Sequence, residues 1–407
     1  MSTAVAEPDV RTTRLWDLAG RWRGAGIAIG ILALTRVVQI LLLVGLDRSI
    51  EEPAGLRSNL LIWDGGWFQR VAAGYPTGYT YGPTGTLEGN ELAFFPLYPM
   101  LIRLLTTLGF SSGTAALTVS WLASIGAAVA LHLLGTTLFG SRKAGWALAA
   151  ICCSAPMSVV LSMAYSESLF LALVAGMFAA AHRKVWWAAG VLGLGCALTR
   201  PTGAAAAVGL AVAAILAVRA GDKAGARAGE EAGDANVRAG EKKWPPLVAA
   251  AVALAGVPAY LGWVGWRVGE PDAWFKIQTA GWGTSFDYGS STLTFLGDTL
   301  SVGDGWVPMS VALILLVAAV AAGVALAGRP WLPLAVYGLV AMVLVYGQAG
   351  YYHSKPRLLL PVLLTLLPAV AAATKARPRV AILAICAWGA FGLWYGAYLV
   401  AVWPYTI

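Results

Sequence analysis

The chain has 407 residues, of which 58% are hydrophobic and only 12% are charged, against about a quarter charged in soluble globular domains. A soluble core could not hide that much apolar surface, so lipid must cover part of it, and a polytopic, all-α integral membrane protein is expected. The net charge of +8 fits basic residues flanking membrane spans better than a nucleic-acid partner, and none is expected. Cys152, Cys153, Cys196 and Cys386 lie in apolar runs without disulfide or zinc spacing and read as small core residues.

Residues 1–26 contain four arginines and no short apolar core with a cleavage site. They read as a cytoplasmic tail preceding a single membrane domain over residues 27–407. Apolar stretches that cross, or nearly cross, about 30 Å of hydrocarbon fall near 27–46, 115–139, 144–162, 167–181, 185–199, 202–219, 247–266, 307–327, 331–347, 357–373 and 379–402. About eleven transmembrane helices are therefore expected. With the N-terminus inside, 18 of the 28 Lys and Arg residues fall on the inner side, among them Arg142, Lys143, Arg183, Lys184, Arg329, Lys375, Arg377 and Arg379. That distribution follows the positive-inside rule. Arg36, near the middle of the first span, requires an anionic or carbonyl partner or water, and no span offers an acidic residue near its centre.

Three segments lie outside the spans. Residues 220–244 are Ala, Gly and charge, with almost nothing to bury, and read as a flexible cytoplasmic loop. The outer loops at 47–114 and 267–306 are rich in Trp, Tyr, Phe, Gly and Pro, which suits ordered segments at a membrane interface, with interfacial helices in the first.

The polar exceptions gather on the outer side. They are Asp64 within Trp63-Asp64-Gly65-Gly66-Trp67-Phe68, Glu91 at the end of the first loop, Tyr165-Ser166-Glu167, Thr199-Arg200-Pro201, and His353-Ser354-Lys355-Pro356-Arg357. Carboxylates and cations at one membrane face suit a phosphate-bearing substrate. Asp64, among large aromatics, reads as a general base, and the two glycines after it as room for a substrate to approach. Each has a plainer alternative: Asp64 as a helix cap, Glu167 and Arg200 as helix-dipole partners, Lys355 and Arg357 as flanking charge, His353 as an interfacial histidine. Lys355 and Arg357 nevertheless lie on the side where cations are disfavoured. No Gly-rich phosphate loop, G-x-S-x-G element or metal-spaced His/Cys/carboxylate cluster occurs, so nucleotide-sugar chemistry has no support and no cofactor is expected.

In this order, these residues resemble the PIG-V mannosyltransferase family, whose eukaryotic members add the second mannose to the glycosylphosphatidylinositol precursor. The likeness runs over about residues 30–361. It rests on Trp63-Asp64 with Phe68, Gly74-Tyr75, Glu91 with Phe94-Phe95-Pro96-Leu97-Tyr98-Pro99, Tyr165-Ser166-Glu167, Thr199-Arg200-Pro201 and Pro356-Arg357. The resemblance implies a GT-C-like fold and an inverting transfer of mannose from a polyprenyl-phosphate-mannose donor to a glycolipid or envelope acceptor at the outer face of the plasma membrane. It implies Asp64 as catalytic base, with Trp63, Phe68, Glu91, Tyr165, Glu167, Arg200, His353, Lys355 and Arg357 binding substrate. The Ala/Gly-rich composition, with 20 Arg against 8 Lys, suggests a bacterial genome, which would separate the acceptor from that of the eukaryotic members. The alternative is a glycolipid transporter or flippase, which should show repeats and broken helices with polar groups near mid-membrane.

Overall fold

The computed structural model describes residues 10–232 and 244–405, with side chains described over 23–221 and 244–405. The chain is almost wholly helical. The first helix, α1 (Val10–Asp47), begins inside the stretch expected as a tail and provides the first span from Arg23. At its end the buried Asp47 carboxylate accepts from the Ala54 and Gly55 N–H groups at 3.1 and 3.0 Å and from Asn59 Nδ2 at 2.8 Å, which fixes the start of the first outer loop. That loop holds three short helices, α2 (Leu56–Leu61), α3 (Asp64–Ala73) and α4 (Leu97–Thr107), with a small hairpin of β1 (Thr80–Tyr81) and β2 (Leu87–Glu88) between the last two.

Next come α5 (Ser112–Phe139) and α6 (Arg142–Cys153). The stretch 144–162, expected as one span, is broken. Pro156 has no N–H and disfavours helix at the residue before it. Helix α6 therefore stops at Cys153, Met157 adopts φ +67°, and a 3-10 turn covers Ser158–Leu161. The break frees backbone carbonyls, and Arg36 takes them: its guanidinium donates to the Cys153 carbonyl, to the Ser158 carbonyl at 2.5 Å and to Ser162 Oγ at 3.2 Å. An arginine buried in α1 and the orphan carbonyls of a broken helix thus satisfy each other.

The following helices are α7 (Glu167–His182), α8 (Trp186–Thr199), α9 (Gly203–Ala232) and α10 (Trp244–Val268). Helix α9 runs on into the stretch read as a flexible loop, and residues 233–243 of that stretch lie outside the described residues. The second outer loop forms α11 (Ala273–Trp282) and α12 (Ser290–Val302). The chain ends with α13 (Trp306–Ala327), α14 (Leu332–Tyr346), the short α15 (Lys355–Leu359), α16 (Leu367–Lys375) and α17 (Pro378–Ala401).

Among the described residues, six helices are long and apolar enough to cross a membrane, or seven if the pair 352–359 and 363–375, bent by 73°, counts as one span. All eleven expected apolar stretches fall on helix, but five are short or broken. At 1.5 Å per residue, α7, α8 and α14 reach only about 21–24 Å.

Small residues set the helix contacts. A Cβ on Gly193 of α8 would lie 2.8 Å from Ala253 Cβ of α10, and one on Gly392 of α17 would overlap the Ser154 carbonyl oxygen at the α6 break. Such close backbone approach is how helices associate in lipid, where hydrophobic burial gives little drive. Leu34, Leu41, Val320 and Leu383 point outward, as lipid-facing residues should. The two outer loops are tied together by Tyr79 Oη donating to Glu270 Oε2 at 2.9 Å, with Lys276 Nζ on the same oxygen at 2.5 Å. Lys276, with Tyr79, holds the Glu270 carboxyl below the usual carboxylate range.

Candidate active site

The site is built where the first outer loop meets the ends of α7, α8 and α15. Between α2 and α3 the chain turns at Trp63, whose φ of +57° is a conformation that bulky residues rarely adopt. Gly65 then lets α3 sit against the segment before α7: a Cβ there would be 3.3 Å from Ala164 Cβ, and the Ala164 N–H donates to the Leu60 carbonyl at 2.8 Å. Gly65, expected to admit a substrate, admits the protein's own backbone instead, whereas Gly66 faces open space.

Rather than capping α3, the Asp64 carboxylate accepts from Arg357 Nη1 at 2.6 Å. Arg357 Nε lies 3.4 Å from Glu167 Oε1, and Arg200 Nη1 lies 2.9 Å from the same oxygen. The Arg357 guanidinium also sits 5.0 Å from the centre of the Tyr165 ring. Four side chains therefore form one charge chain, Asp64–Arg357–Glu167–Arg200, whose charges cancel. Arg200 is at the C-terminus of α8, but its guanidinium pairs with Glu167 and does not serve the helix dipole alone.

Lys355 adds to this chain. It is buried, and its Nζ donates to the Val345 and Gln348 carbonyls at 2.8 and 2.5 Å. Among the described residues it forms no ion pair. The carboxylate of Asp287, which acts on it at longer range, is occupied by the Gly289 and Ser291 N–H groups. Counted without Asp287, the cluster carries one excess positive charge.

These groups face a cavity of about 410 Å³. Its lining is polar at Asp64, Arg200, Lys355 and Arg357 and aromatic at Trp63, Trp67, Phe68, Phe94 and Trp282. Trp67 stacks on Phe94 at 5.6 Å between ring centroids and meets the edge of Trp282 at 5.2 Å. The second outer loop roofs the space: Phe286 pairs with Gln348 as a β-bridge, and Gln278 Nε2 donates to the Ala93 carbonyl at 3.0 Å.

Of the residues expected in the site, Trp63, Asp64, Phe68, Arg200, Lys355 and Arg357 line this cavity. Tyr165 and Glu167 lie behind the arginines, fully buried. Glu91 is off the wall and pairs with Arg70 at 3.3 Å, while Arg70 stacks over Trp67 at 3.6 Å, so Glu91 supports the aromatic wall from outside. His353 is buried against Tyr351 and Tyr352, also off the wall. Sequence reasoning missed Trp282, Gln278 and Gln348, which carry no charge signal, and did not count Trp67 among the site residues.

Fold and site together define a predominantly helical, multi-pass membrane protein with a cationic, aromatic-lined cavity at one end of its helices. Residues 51–207 match the family described as mannosyltransferase (PIG-V), which confirms the resemblance over the segment holding Asp64, Glu91, Glu167 and Arg200. Over 156 residues the chain is 32% identical to GPI alpha-1,6-mannosyltransferase 2 of Cricetulus griseus, covering 36% of this chain and 29% of that one. Over 123 residues it is 31% identical to GPI mannosyltransferase 2 of Drosophila pseudoobscura pseudoobscura, covering 28% and 25%. The chain therefore spans under a third of the length of these curated relatives. Among solved structures it is similar to the archaeal oligosaccharyltransferase AglB from Archaeoglobus fulgidus, at 11% identity and a TM-score of 0.45, over 92% of this chain and 56% of that one.

Proposed function

We propose that the chain is an inverting mannosyltransferase that moves mannose from a polyprenyl-phosphate-mannose donor to a lipid-linked or cell-envelope acceptor at the outer face of the plasma membrane. One observation carries the chemistry: a carboxylate and three cations, Asp64 with Arg200, Lys355 and Arg357, line a single cavity, a set suited to an anionic phosphodiester. The choice of mannose rests on the family match over 51–207. Lys355, Arg357 and Arg200 hold the donor phosphate by charge-assisted hydrogen bonds and stabilise the charge that develops on it as the sugar leaves. Asp64 takes the acceptor's hydroxyl proton as the oxygen attacks C1. The aromatic lining, Trp282 included, offers apolar surface against which a sugar ring can lie. Glu167 does not bind sugar in this reading. Buried between two arginines, it holds them in place.

The transporter alternative gains the broken helices that it requires, but not the polar path. Arg36, near the middle of the first span, is buried and bound to the carbonyls of Cys153 and Ser158. The test is to incubate purified protein with labelled polyprenyl-phosphate mannose and native membrane lipids and to identify the product. A new mannosylated lipid supports the reading. Donor that crosses the bilayer unchanged, with no transfer, favours transport.

Orientation follows from the charge asymmetry of the loops. A cysteine at Ser290, exposed at the start of α12, should react with an impermeant thiol reagent in intact cells, and one at the exposed Lys375 should be shielded. The reverse pattern would move the cavity to the inner face.

A further inference from the structure

The Asp64–Arg357 contact is in the wrong state for catalysis. A carboxylate whose oxygen is held by a guanidinium is a poor proton acceptor, and a guanidinium engaged by a carboxylate is a poor phosphate ligand. Both partners line the cavity, and their side chains are 24% and 10% exposed, so an entering ligand can reach the contact between them. The rest of the cluster is fixed. Arg357 is anchored on its far side by Glu167 and by the Tyr165 ring, so it cannot swing away. Arg200 shares Glu167, and Lys355 is clamped by two carbonyls.

An incoming phosphate therefore meets a Lys355 ammonium with no direct ion-pair partner among the described residues, and it completes its coordination by drawing the Arg357 N–H groups from Asp64. We infer that the donor phosphate and Asp64 compete for Arg357, so that the carboxylate is released as a base only when the donor is in place. This rests on the function proposed above and adds an order to it: donor first, acceptor second.

The charge balance of the reaction agrees. As the acceptor oxygen bonds to C1, its proton passes to Asp64. The bond between C1 and the phosphate oxygen breaks with its electron pair remaining on the phosphate. One negative charge thus leaves Asp64 as another appears on the phosphate, and Arg357 stands between the two. In the product state the neutral acid no longer competes, so Arg357 belongs wholly to the polyprenyl phosphate.

Competition is reciprocal: if phosphate loosens Asp64 from Arg357, Asp64 must weaken phosphate binding by the same factor. Removing the charge of the proposed base should then strengthen binding of the leaving group, which a purely structural salt bridge would not do. The experiment is calorimetric titration of polyprenyl phosphate into purified full-length wild type, Asp64→Asn, Arg357→Gln and the double variant. Asp64→Asn should bind about tenfold tighter than wild type, and the gain should vanish when Arg357→Gln is already present. Asp64→Ser, titrated alongside, serves if the asparagine variant does not fold. Equal or weaker binding by both Asp64 variants overturns the competition even where mannose transfer is lost, which leaves the base assignment standing. A wild type that binds no polyprenyl phosphate overturns the donor reading and the competition together.

Discussion

Single-turnover mannose transfer by Asp64→Asn is expected to fall by about 10²–10⁴-fold, the usual loss when a general base is removed. The substitution keeps the shape of the side chain and removes its charge, and with it the ability to take a proton. The fold should persist, because Asp64 is the first residue of α3 and forms no cap there, while Arg357 retains Glu167 at 3.4 Å and the Tyr165 ring. A thermal melt close to wild type beside the lost turnover would place the effect in the chemistry. Glu91→Gln is the comparison, since Glu91 pairs with Arg70 outside the cavity wall and should have a milder effect. Near-normal transfer by Asp64→Asn would remove the base assignment, and a larger loss in Glu91→Gln would move it to Glu91.

Glu167→Ala should be the most damaging single change to stability within the site, at about 3–5 kcal/mol, because breaking one side of a buried ion pair strands the other. Here one carboxylate faces two guanidiniums, and the side chains are 2% exposed for Glu167, 12% for Arg200 and 10% for Arg357. Without it the arginines repel each other in a space with little water, and the ends of α7, α8 and α15 lose their common tie. Glu167→Gln keeps the volume and an acceptor oxygen and should lose less. Thermal unfolding in lipid nanodiscs measures the difference. A melting temperature unchanged in Glu167→Ala would show that water compensates the arginines, and the positioning role would fall.

Much of the site was legible from the sequence because charge is conspicuous in an apolar chain. Asp64, Arg200, Lys355 and Arg357 stood out against their surroundings, and the positive-inside rule marked the last two as misplaced for ordinary flanking charge. The partnerships were not legible. Asp64 and Arg357 are 293 positions apart, and nothing local joins them. Glu167 and His353 were grouped with groups that touch substrate because sequence order shows which end of a helix a residue occupies and not how deep it lies. Trp282 and Gln348 carry no charge, so only the fold brings them to the cavity. The helices themselves were located by hydropathy, but hydropathy does not register a break. Residues 144–162 stay apolar through Pro156 while the backbone leaves the helix there.

That break has a consequence for how the chain is assembled in the membrane. Arg36 enters the bilayer with the first helix, while the carbonyls that receive it are 117 and 122 positions further along the chain. During synthesis the first helix therefore carries an unmet charge, at about 2.5–3.5 kcal/mol on insertion scales, until α6 has been made and has broken at Pro156. The arginine then acts as a latch, closing the earliest part of the chain onto a segment that ends at Tyr165 and Glu167, directly beneath the arginines of the cavity. Docking of the first helix thus waits for the α6 break, and it precedes the arrival of Lys355 and Arg357, which complete the cavity. A nascent chain truncated before residue 153 would hold its first span only loosely, with a lone guanidinium reaching toward the headgroups.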